Sequence, residues 1–129
     1  MNEPGSSKLY KIIFEHHAEY LYVYVTGEHD SYDVSIGYWR EVAAECKKSN
    51  VKRVLIEEDI PELVPMSDMY RIASEIPTLG FGGVRVAFVD RYTEHQADNE
   101  FGALVATNRG LYGKNFNNIE EAKKWLLDG

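Results

Sequence analysis

Cysteine is nearly absent from this 129-residue chain: Cys46 stands alone, so no internal disulfide can form. A reducing setting suits that usage. Basic clusters are equally scarce. The longest Lys/Arg runs are pairs, such as Lys47-Lys48 and Lys123-Lys124, and the net charge is −7. A phosphate backbone attracts a basic stripe, so a nucleic-acid role is disfavoured. No apolar run approaches the roughly 20 residues needed to span a bilayer. The opening MNEPGSSK has neither a basic n-region nor an apolar h-region, so it does not read as a signal peptide. The expectation is a cytoplasmic protein with no membrane span. Internal repeats and low-complexity tracts are also missing.

What is present is ordinary globular material, 44% hydrophobic and 27% charged, at a length that suits one core. Residues 1–7 are polar and Gly/Ser-rich and read as a disordered lead-in, leaving 8–129 as a single domain. Residues 9–15 alternate as a strand, and 15–19 (Glu15-His16-His17-Ala18-Glu19) read as a turn. Residues 20–26 are a clearer strand, with Leu21, Val23 and Val25 on one face and Tyr20, Tyr22 and Tyr24 on the other. Asp30 or Ser31 can cap a helix running to about Lys48, with Val34, Tyr38, Val42 and Cys46 at four-residue steps.

Residues 51–57 form a short buried strand. Pro61 and Pro65 keep the next loop non-helical, and Ser67 can open a helix that stops before Pro77. Gly80-Phe81-Gly82-Gly83 leads into a buried strand over 84–90. Thr93 with Gln96 is a capping box, opening a helix through Phe101, Leu104 and Val105, with Gly110 just beyond its end. Residues 111–116 form a last strand. Asn118 with Glu121 is a second capping box, and its helix runs to Leu127, docked by Trp125 and Leu126. The order ββαβαβαβα implies a mainly parallel α/β sheet with right-handed crossovers and an antiparallel N-terminal strand.

Several clusters invite chemistry. Ligands of open parallel sheets gather beyond the strand C-termini. There the sequence places His29 and Asp30, the run Glu57-Glu58-Asp59, and Asp90-Arg91. Such a rim is either a solvated acidic surface or the frame of a ligand, partner, metal or acid/base site. Glu15-His16-His17 is a poor chelate, since adjacent strand residues face opposite ways. GFGG precedes a strand, whereas phosphate loops follow one. Cys46 lies on an apolar stripe and reads as core rather than nucleophile. The Tyr20/Tyr22/Tyr24 face either packs under a helix or offers an amphipathic patch to a partner, a twin subunit or an apolar ligand. No cofactor or metal is expected.

The stretch VLIEEDIPELVPMSDMYRIA (54–73) and the ending NRGLYGKNFNNIEEAKKWL (108–126) carry a family resemblance. Together with the element order they resemble the STAS domain, the SpoIIAA-like anti-sigma-factor antagonists and their relatives. In the ending, Phe116 closes a strand and Ala122 with Trp125-Leu126 lies on a capped helix. The resemblance sets Ser67 on the family's phosphoacceptor, with Pro65, Met66 and Asp68 at the other motif positions. A phosphate at a helix N-terminus is favoured by the backbone N–H groups and the dipole. The alternative is that Ser67 only caps the helix. The resemblance implies a non-enzymatic regulatory domain acting through protein contacts. Its topological likeness to Sec14-type lipid carriers makes a small apolar-ligand or lipid-binding module the second reading, and an enzyme using the acidic rim the third.

Overall fold

In residues 21–26 the inward side chains Leu21, Val23 and Val25 are wholly buried, while Tyr22, Tyr24 and Thr26 are only partly covered. That alternation is what a strand with one core face produces. The computed structural model describes residues 9–128, and the lead-in expected over 1–7 lies outside them. The strands are β1 (Lys11–His16), β2 (Leu21–Thr26), β3 (Arg53–Asp59), β4 (Arg85–Asp90) and β5 (Tyr112–Phe116). The helices are α1 (Tyr32–Lys48), α2 (Met66–Glu75), α3 (Gln96–Asn108) and α4 (Ile119–Asp128). Short 3₁₀ turns follow α2 (Ile76–Leu79) and precede α3 (Thr93–His95).

The five strands lie in the order β1-β2-β3-β4-β5. β1 pairs antiparallel with β2, and every other pair is parallel. Because each crossover steps to the next strand in the same direction, crossovers of one hand put all three connecting helices on one face. α1, α2 and α3 indeed pack there, over Val54, Ile56 and Val86. Among the described residues only α4 covers the opposite face, seating Ala122 and Leu126 on Leu55, Ala87, Val89 and Phe116. It leaves the outer face of β1 open, and Ile13 is half exposed.

The local signals succeed where a side chain supplies the cap. Ser31 Oγ accepts from the Val34 N–H at 3.1 Å and opens α1. Asn118 Oδ1 accepts from the Glu121 N–H at 2.8 Å and opens α4. Gly110 takes φ +108° after α3, a conformation that disfavours any side chain. The other two expected caps are not made. At α2 the cap position belongs to Pro65, whose carbonyl accepts from the Met69 N–H at 2.9 Å. The helix winds as soon as the chain clears that ring, which leaves Ser67 one residue inside. Before α3, the Thr93 side chain caps nothing. Asp90 holds that turn instead, its Oδ1 accepting from the Tyr92 N–H at 2.9 Å.

The docking of α4 also differs from expectation. Leu126 is fully buried, whereas Trp125 is only partly covered. Its ring lies under the Arg85 guanidinium, 4.2 Å from carbon to centroid, and beside Tyr112 and Phe116. Trp125 sits at the margin of the α4 contact, where a cation can reach it.

Candidate functional site

Alternation along β3 divides the acidic rim in two. Glu57, Glu58 and Asp59 are consecutive, so Glu58 points toward α1–α3 while Glu57 and Asp59 point to the opposite face. On that opposite face the Tyr22 hydroxyl donates to Glu57 and the Tyr24 hydroxyl to Asp59. Arg91 bridges the two carboxylates, Nε to Glu57 at 2.9 Å and Nη1 to Asp59 at 3.5 Å. Burial, followed by the hydrogen bond to Glu57, raises the Tyr22 phenol above its ordinary value. Tyr20 lies against the α4 cluster and is stacked by His17, ring centroids 4.7 Å apart. The tyrosine row is thus half-buried, with two of its hydroxyls tied to acids.

The inward half is a buried carboxyl cluster. Asp30, at the mouth of α1, accepts through Oδ1 from the Ser31 N–H and the Ser35 hydroxyl, both at 2.8 Å. The buried Tyr38 hydroxyl donates to Glu58. Asp90 accepts from Asn99 Nδ2 at 2.9 Å and pairs with His95 Nδ1 at 2.9 Å. The other ring nitrogen of His95 faces the Pro61 carbonyl at 3.1 Å. A carbonyl only accepts, so that nitrogen carries a hydrogen. Glu58, Asp90, His95 and Asn99 are each less than 8% exposed.

Burial dominates the electrostatics here. It lifts the Glu58 carboxyl well above the usual range, and the charges of Asp30 and Asp90 lift it further. The neighbouring Asp90 carboxyl thus favours a Glu58 that keeps its proton. Burial likewise pushes Asp30 up to about 6, against the pull of its bonds to Ser35 and Ser31.

The remaining sequence candidates fall elsewhere. His29 leaves the cluster and pairs with Glu62 at 3.2 Å in solvent. His16 pairs with Glu45 and His17 with Glu15, on the surface. Cys46 is buried in the α1 core, and burial pushes its thiol up to about 11. Among the described residues no group of three or more His, Cys, Asp or Glu is placed to hold a metal ion. No helix among them is long and apolar enough to cross a membrane.

Two solved structures share this arrangement. One is an anti-sigma factor antagonist from Mycobacterium paratuberculosis, with TM-score 0.63 and 13% identity over 98% of both chains. The other is an uncharacterised DUF3478-family protein from Shewanella loihica PV-4 described as having a SpoIIAA-like fold. Its TM-score is 0.51 at 13% identity, over 91% of this chain and 93% of that one. The chain has the SpoIIAA-like, STAS-type fold. At this identity the likeness speaks for the fold alone. The sequence itself matches no family model and no curated protein.

Within the STAS-type fold, Ser67 is exposed in the first turn of α2. The two packed helices α2 and α3 leave large apolar side chains in solvent: Met66 and Tyr70 at 47%, Phe101 at 37% and Leu104 at 59%. The Tyr70 hydroxyl accepts from Arg109 Nη2 at 2.7 Å, tying the C-terminal end of α3 to α2. Two of these four apolar residues, Phe101 and Leu104, were read in sequence only as helix-forming periodicity. The buried partners His95, Asn99 and Asn115 were missed altogether. A signal for Asn99 existed, since a polar residue stands on the stripe that Gly102 and Ala106 continue.

Proposed function

We infer that this chain is a non-enzymatic regulatory domain of STAS type that acts by protein contact, in the cytoplasm. The observation that carries this reading is the exposure of large apolar side chains on the packed helices α2 and α3, of which α2 also carries Ser67. Single exposed apolar residues are unremarkable, but several on two packed helices suit a partner surface. The full-length match in fold to an anti-sigma factor antagonist supports it. The Asp90–His95 pair, by contrast, spends its polar atoms on inward bonds and serves the architecture. Ser67, exposed at the start of α2, is where an added phosphate would change that surface. The dipole would favour the anion and Asp68 would oppose it.

The test is affinity capture from native lysate with wild type, Leu104→Asp, Tyr70→Asp and Ser67→Asp. A protein retained by wild type and lost with Leu104→Asp and Tyr70→Asp supports the surface. Loss with Ser67→Asp, but not Ser67→Ala, adds the switch. A capture profile indifferent to all four removes the reading. A twin subunit is the second candidate partner, favoured by the open β1 edge and exposed Ile13. Sedimentation that stays monomeric at high concentration dismisses it.

A further inference from the structure

Between the sheet and helices α1–α3 lies a half-enclosed cavity of about 80 Å³. Most of its lining is apolar, including Trp39, Ile72, Val86 and Phe88. Two polar features interrupt that lining. Asp30 and Glu58 reach it from the strand ends, and Asn115 reaches it from β5. Asn115 is only 6% exposed. Its Nδ2 donates to Glu100 at 3.0 Å, but its Oδ1 is buried with no hydrogen-bond partner. A buried carbonyl left without a donor is destabilising, and a hydrogen bond to an occupant would relieve that.

The chemistry of the lining is one-sided. Asp30, Glu58 and the free Asn115 oxygen all accept. Of the nearby donors, Tyr38 is engaged by Glu58 and Ser35 by Asp30, and Asn99 gives one of its two amide hydrogens to Asp90. Lys114 also borders the cavity, but its ammonium lies 5.5 Å over the Phe116 ring, on the α4 side of the sheet. A group that only donates is therefore the complement, and an ammonium is such a group. The apolar wall asks for a hydrocarbon body. The volume admits only a small body of a few heavy atoms, with room to extend at the mouth.

We propose that this cavity binds a short aliphatic amine, its ammonium held by the Asp30 and Glu58 carboxyl groups and a second N–H or O–H donor met by Asn115 Oδ1. The proton that the buried carboxyl cluster retains marks where positive charge is wanted, and the ammonium replaces it. The site is separate from the exposed α2–α3 surface, so the two readings stand or fall independently.

The experiment is an NMR titration of the purified protein with 3-amino-1-propanol, n-propanol and propionate. The amino alcohol should shift resonances of Ile72, Gly102 and the Asn115 side-chain amide. n-Propanol should bind at least tenfold more weakly, and propionate should leave those signals in place. Glu58→Gln should weaken the amino alcohol at least tenfold, with Asp30→Asn as the second variant should the first fail to fold. Ala103→Leu, which fills the cavity from α3, should abolish the shifts while preserving spectral dispersion. The proposal is overturned if n-propanol binds as well as the amine. It is equally overturned if the shifts map to Glu57 and Asp59 on the other face, if Ala103→Leu binds unchanged, or if no probe moves the cavity signals.

Discussion

Glu58→Gln isolates the cost of burying a carboxyl group in the cluster. Burial and the charges of Asp30 and Asp90 raise this group well above 4.5, its ordinary value. The folded chain therefore holds a proton that the unfolded chain has released. With the folded pKa raised, the stabilisation is fully present below the unfolded value and is lost as pH rises toward the folded one. Each retained proton removes about 1.4 kcal/mol of stability per pH unit in that window. Glutamine keeps the shape and still accepts from the Tyr38 hydroxyl, yet has no proton to lose. Urea unfolding at a series of pH values rising from about 4.5 should show the variant gaining on wild type with each step until the folded carboxyl titrates, with the denaturant slope unchanged. Asp30, raised to about 6, contributes the same sign below that value in both proteins, so its effect largely drops out of the difference. A gap independent of pH, or a variant several kcal/mol less stable at neutral pH, would refute the reasoning.

Leu126→Ala should cost about 3–4 kcal/mol and Trp125→Ala about 2 kcal/mol, because leucine is the buried anchor of α4 and the indole is partly open. Urea midpoints in the reverse order would overturn that ranking. Ser67→Ala should change stability by no more than about 0.5 kcal/mol, since the hydroxyl caps nothing; a loss of about 1 kcal/mol or more would reinstate a capping role. Cys46, with its thiol pushed up to about 11, should react with an aromatic disulfide reagent only as the chain opens. Rapid labelling under native conditions would contradict its burial.

The element order was legible because periodicity changes cleanly along the chain. The spacing of Val34, Tyr38, Val42 and Cys46 marks α1, and all four are buried. Caps were legible where one side chain decides them, at Ser31 and Asn118. They failed at Ser67 and Thr93, where a proline carbonyl and a residue from the preceding strand, Asp90, hold the turn. The acidic rim was legible as composition but not as geometry. A run such as Glu57-Glu58-Asp59 reads as one feature, and only the pleat assigns its members to opposite faces. His95 joins Asp90 because a tight turn folds it back over the strand end, and Asn115 arrives through a strand pairing. Neither contact has a local signature. The half-buried tyrosines show the same limit, since alternation gives their face but not how far α4 reaches across it.

The strand order has a consequence for the chain as it is synthesised. Each new strand from β2 to β5 is laid against the one made just before it, so the sheet extends from a single edge in the direction of translation. The α1–α3 face can close in step, each helix arriving between the strands it covers. The other face has no such schedule. Leu55, Ala87 and Val89 wait uncovered until α4 leaves the ribosome. A nascent chain stalled before residue 119 would carry a finished helical layer on one side and a bare aliphatic strip on the other, which is the kind of intermediate that chaperones shelter.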